Sequence, residues 1–81
     1  MDYKAFFADV LDWIGQANQA AMKHGMESPD FWAWVTESTG GLCRKYQDNR
    51  LAIKQMMTLV EWLEEVYEAR KGIKNDGAKE N

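Results

Sequence analysis

Apolar residues recur every three or four positions through most of the chain, and this spacing is typical of amphipathic helices. At about 100° per residue, the first series forms one stripe through Tyr3, Phe7, Val10, Ile14, Ala17, Ala21 and His24. Pro29 is the only proline and glycine is sparse, which argues against a turn-rich β fold. The sequence therefore predicts an all-α fold.

Start and stop signals define the first two helices. Asp2 can accept a hydrogen bond from a first-turn amide and Gly25 can close the helix, which predicts a first helix over about 2–24. The Ser28-Pro29 pair supplies a hydroxyl N-cap and a proline at the first helical position. The second stripe passes through the adjacent glycines at positions 40 and 41, so we expect the second helix to continue to about residue 47 despite a cost of about 1 kcal/mol per glycine.

The boundary between the second and third helices has two interpretations. Asp48 and Asn49 are typical of turns and N-caps, and they predict a corner followed by a third helix over about 50–71. The alternative is one helix from Leu42 to Arg70, because heptad spacing continues through Asn49. That arrangement would be a helical hairpin whose long helix forms a coiled-coil-like dimer.

The favoured fold is a small three-helix bundle, with helices over about 2–24, 29–47 and 50–71 in a single domain, 1–71. The tail, 72–81, has one large apolar residue and is expected to be disordered. A chain of 81 residues buries only about 60 to 65% of its unfolded surface, so its core is small. The predicted core consists of Phe7, Val10, Ile14, Phe31, Val35, Leu42, Ile53, Val60 and Leu63.

The composition argues against an enzyme and against a metal or cofactor site. His24 and Cys43 are the only residues of their types, whereas a zinc site needs three or four ligands. A lone cysteine forms no internal disulfide and is typical of an intracellular protein. The N-terminus lacks the pattern of a signal peptide, and no uncharged run is long enough to cross a bilayer. The expected location is the cytoplasm, with no membrane contact.

A basic stretch provides candidate nucleic-acid contacts, although the net charge of the chain is −3. Its cationic side chains are Arg44, Lys45, Arg50 and Lys54. Phosphate contact would require such residues on one surface. The next stretch is acidic, with Glu61, Glu64, Glu65 and Glu68, and would repel nucleic acid. A nucleic-acid-contacting regulator is therefore the alternative function.

The favoured function depends on apolar residues that exceed what one bundle can bury. On the third helix, Leu59, Val66 and Trp62 extend the apolar face to about 180° of arc, whereas a bundle helix needs little more than 100°. Trp32 lies at the margin of the apolar face of the second helix. An aromatic and aliphatic edge anchored by Trp is typical of a protein interface. We expect a non-enzymatic interaction module that self-associates or docks on a protein partner through Trp62, Leu59 and Val66, joined by Trp32.

The segment KYQDNRLAIKQMMTLVEWLEEVYE, residues 45–68, resembles short, uncharacterised all-helical proteins encoded in Gram-positive prophages. The resemblance extends over roughly residues 3–71. It implies a small phage or host-interaction protein, and it has no functional motif that would assign a site.

Overall fold

The computed structural model describes the backbone of residues 1–79 and the side chains of residues 1–70. Its helices are α1 (Tyr3–His24), α2 (Pro29–Lys45) and α3 (Arg50–Lys79), and the described residues contain no strand. α2 packs against both α1 and α3. The chain is thus a small all-α three-helix bundle, as the sequence predicts.

The predicted start and stop signals of the first two helices are confirmed. The Asp2 carboxylate accepts a hydrogen bond from the Ala5 N–H at 3.0 Å, and the Ser28 hydroxyl oxygen accepts one from the Asp30 N–H at 3.0 Å. Gly25 has a φ of 84°, in the region that favours glycine. α2 then continues without a break through residues 40 and 41.

The chain turns between α2 and α3 over residues 46–49. Gln47 and Asp48 have φ values of 59° and 55°, a left-handed conformation that costs a non-glycine residue about 1 to 2 kcal/mol. The Asn49 side-chain oxygen accepts a hydrogen bond from the Leu51 N–H at 2.9 Å and begins α3. The predicted corner is confirmed, the continuous helix through this region is excluded, and α2 ends at Lys45 rather than at residue 47.

α3 continues well beyond the helix end predicted near residue 71 and stops at Lys79. Extending an existing helix is much easier than starting one, because each added residue gains a backbone hydrogen bond. The tail predicted for 72–81 falls outside the residues whose side chains the structure describes, and its disorder stays a prediction. Residues 80 and 81 lie outside the described residues.

The observed core agrees with the predicted one in part. Val10, Phe31, Val35 and Leu63 are buried, whereas Phe7 and Ile53 are 42% and 37% exposed. Ile14, Leu42 and Val60 are half-buried and pack against the core. The buried residues that the predicted core omitted are Phe6, Trp13, Ala17, Met26, Ala52, Met56 and Leu59.

The difference on α1 is a rotation of the helix about its axis. Its buried row is Phe6, Val10, Trp13 and Ala17, and the centre of this row lies about 40° from the centre of the predicted stripe. The rotation places Phe6 inside, where its ring packs edge-on against Tyr46 at 5.2 Å. Phe7 consequently lies at the surface.

Substitution of the adjacent phenylalanines tests this rotation. Phe6→Ala should lower the free energy of unfolding by about 3 kcal/mol or more, because it leaves a cavity at a fully buried site. Phe7→Ala should cost only about 1 kcal/mol, mainly through its edge-on contact with Phe6. Urea unfolding in dilute solution measures both values. A larger loss for Phe7→Ala would contradict the observed orientation of α1.

Candidate interaction surface

α2 covers one flank of α1. The Trp34 ring stacks on Trp13 with centroids 5.5 Å apart, and the Trp13 indole N–H donates to the Ser38 hydroxyl at 2.8 Å. Nearer the start of α1, the Lys45 ammonium contacts the Asp9 carboxylate at 2.8 Å. The flank of α1 that carries Asp9 and Trp13 is therefore turned towards α2.

α2 also covers one flank of α3, and Trp32 lies in that contact. The Trp32 ring packs edge-on against Tyr67 at 6.0 Å, and its indole N–H donates to the Met26 carbonyl at 2.7 Å. Around α3, Tyr67 lies about 140° from Trp62. The structure thus places Trp32 and Trp62 on opposite flanks of α3. The predicted interaction edge needed both residues on one surface, and the structure does not bring them together.

The flanks of α1 and α3 that are turned away from α2 carry exposed apolar side chains, and together they are called the α1–α3 face. On α1 this flank lies between about 50° and 130° from the centre of the buried row of α1. On α3 it lies about 100° from the centre of the buried row of α3. Its exposed large apolar side chains are Tyr3, Phe7, Leu11, Leu51 and Trp62. Leu11 of α1 is 71% exposed and Trp62 of α3 is 41% exposed.

The predicted edge on α3 is narrower than expected. Trp62 is exposed, but Leu59 is a core residue and Val66 is half-buried against the core. Sequence reasoning also missed the contribution of α1, although Tyr3, Phe7 and Leu11 follow one another at spacings of four. The contribution of α1 could not be recognised until the orientation of that helix was known.

The structure distributes the predicted basic residues over different surfaces. Lys45 is paired with Asp9 of α1. Arg44 lies on the outward side of α2, about 160° from its buried residues, and is exposed. Arg50 and Lys54 are exposed on α3. The four cations therefore do not form one patch.

Asp9 is the acceptor in a small polar cluster between α1 and the end of α2. It accepts hydrogen bonds from the Lys45 ammonium at 2.8 Å and from the Tyr46 hydroxyl at 2.6 Å. The Lys45 bond and then the Tyr46 bond lower the pKa of Asp9. The bond to Asp9 is also the main cause that raises the pKa of Lys45 and of Tyr46. This cluster joins α1 to the end of α2 and neutralises the charge of Lys45.

A charged row runs beside the apolar residues of α3. Arg50, Lys54, Glu61 and Glu65 fall within an arc of about 60° on its outward side, and all four are exposed. The basic members lie in the first turns of the helix and the acidic members about two turns further on. The outward side of α3 therefore changes sign along its length.

Among the described residues, no group of three or more His, Cys, Asp or Glu side chains is arranged to hold a metal ion. Burial, with a smaller contribution from Asp48, raises the pKa of the Cys43 thiol, which disfavours the reactive thiolate. No helix within the described part of the chain has the length and apolar character needed to cross a bilayer.

Comparison of the chain with protein-family models, with curated proteins and with solved structures finds no significant match.

The Asp9 cluster predicts a pH dependence with two limits. Because the pKa of Asp9 is lowered, its stabilising effect is present above the unfolded value near pH 4 and is lost as the pH falls through the folded value. Because the pKa values of Lys45 and Tyr46 are raised, their effect is lost only as the pH rises above about 10. The melting temperature of the wild type should exceed that of Asp9→Asn between these limits.

The difference in melting temperature between wild type and Asp9→Asn should therefore shrink on both sides of the plateau. Lys45→Gln removes the main hydrogen-bond partner of Asp9. It should therefore make the loss of stability at acid pH smaller. A difference that stays constant from strongly acidic to strongly alkaline pH would contradict the role assigned to Asp9.

Proposed function

We propose that this protein is a non-enzymatic helical interaction module, which acts by self-association or by docking on a protein partner through the α1–α3 face. The observation that carries the proposal is the exposed indole of Trp62, on a face that α2 leaves uncovered. Trp is the residue type most enriched among the side chains that anchor protein interfaces. A cytoplasmic location and a phage origin remain parts of the proposal, supported by the free Cys43 and by the resemblance of residues 45–68.

The face has the composition of an interface centre. Tyr3, Phe7, Leu11, Leu51 and Trp62 supply aromatic and aliphatic surface from two neighbouring helices. Several large apolar side chains on one side of a protein are a feature of interaction surfaces, whereas single exposed apolar residues are ordinary. Its charged residues lie beside the apolar row on α3, as in the polar rim of an interface.

The alternative function, nucleic-acid contact, has less support. Lys45 is held by Asp9, and Arg44 lies on a different helix from Arg50 and Lys54. Glutamates share the outward side of α3 with the two remaining cations, and their charge opposes phosphate binding. No observation on the described residues favours this function over protein contact.

Trp62→Ala tests the proposed function. Removal of an anchor should weaken association by about 2 kcal/mol or more, while the fold should persist because the side chain is 41% exposed. Association is measured by sedimentation of the protein alone and by retention of bound proteins from a lysate. Urea unfolding of the same variant measures stability.

Two control variants separate an interface role from a core role. Met57→Ala removes an exposed side chain about 140° from Trp62 around α3 and should leave association unchanged. Met56→Ala empties a buried site and should lower stability by about 2 to 5 kcal/mol. If Trp62→Ala keeps every association of the wild type and loses as much stability as Met56→Ala, the proposed function fails.

A further inference from the structure

We propose that the α1–α3 face binds a second copy of this chain, with the two α3 helices antiparallel about a two-fold axis. This inference rests on the proposed function, because it names the partner for the same face. It follows from the order of apolar and charged residues along α3 and from the position of the start of α1.

One row of side chains on the flank of α3 has the same spacing in both chain directions. Leu51, Gln55, Thr58 and Trp62 follow one another at spacings of four, three and four and lie within about 60° of arc. This row has the same spacing read from either end. About an axis midway between residues 56 and 57, Leu51 of one copy lies opposite Trp62 of the other. Gln55 lies opposite Thr58, so a polar pair occupies the centre between two apolar ends.

The charged row is complementary in the same arrangement. Arg50 and Lys54 of one copy come opposite Glu65 and Glu61 of the other, with an offset of about 3 Å along the helix. The two-fold axis repeats both pairs, so four oppositely charged contacts flank the apolar row. A parallel two-fold arrangement would place the charged rows of the two copies on opposite sides of the contact, where these pairs could not form, so it lacks this complementarity.

The start of α1 completes the site that receives Trp62. Phe6 packs against Tyr46 at 5.2 Å, which places the first turns of α1 beside the start of α3. The exposed rings of Tyr3 and Phe7 therefore lie near Leu51, on the face where Trp62 of the second copy arrives. An indole inserted among aromatic and aliphatic side chains is the usual form of an interface anchor.

Charge reversal on the full chain tests the arrangement. The R50E/K54E variant and the E61K/E65K variant should each self-associate about tenfold or more weakly than wild type, because every flanking contact becomes repulsive. An equimolar mixture of the two should associate, since the acidic row of one then faces the basic row of the other. Sedimentation velocity over a wide concentration range measures each case.

The combined variant R50E/K54E/E61K/E65K shows whether the losses in the two double variants come from charge pairing. In the antiparallel arrangement its reversed charges again face opposite charges, so its self-association should return to the wild-type level. The control E64K/E68K changes the net charge by the same amount as E61K/E65K, but at two glutamates that line the groove with Trp32. It should associate as the wild type does, and circular dichroism checks that each variant remains helical.

The outcomes separate this inference from the proposed function. A wild type that stays monomeric at all concentrations, or a combined variant that does not recover, overturns the second copy as partner. If Trp62→Ala still abolishes capture of another protein in that case, the proposed function stands. If neither Trp62→Ala nor the charge reversals change any association, both fail.

Discussion

The stack of Trp34 on Trp13 is the contact on which the arrangement of the bundle depends. It joins α1 to α2 across parallel rings with centroids 5.5 Å apart. The indole N–H of Trp13 donates to Ser38, so the polar atom of this buried ring is satisfied. Phe31 lies against Trp34 at 6.3 Å and is fully buried. This cluster determines which side of α1 faces the core.

The surface chemistry follows from that orientation. With Trp13 turned towards α2, Phe6 enters the core and Phe7 remains outside. The same rotation exposes Tyr3 and Leu11. A helix is rigid, so all its rows of side chains turn together. The contact of Trp13 with Trp34 on one flank of α1 therefore exposes apolar residues on its other flank.

Much of the architecture could be predicted because it depends on local interactions. Asp2, Ser28 and Asn49 each bond a backbone N–H within three residues, so their effects are visible in short segments of sequence. The burial of Val35 and Leu63 likewise follows from helical spacing. The rotation of α1 could not be predicted, because Phe6 and Phe7 are chemically identical and only the distant Tyr46 and Trp34 distinguish the rows. Leu59 and Trp32 were misplaced for the same reason, since their surroundings are set by contacts between helices.

The most direct measurement of the central claim is the response of the four tryptophan indole N–H signals to protein concentration in heteronuclear NMR. We expect the Trp62 signal to shift with concentration, together with backbone amides at the start of α1 and along residues 51–66. The signals of Trp13 and Trp32 should stay in place, because their N–H groups are bonded to Ser38 and Met26 within one chain. A Trp62 signal that does not move at any concentration, or changes centred on Trp13 and Trp32, would contradict the account.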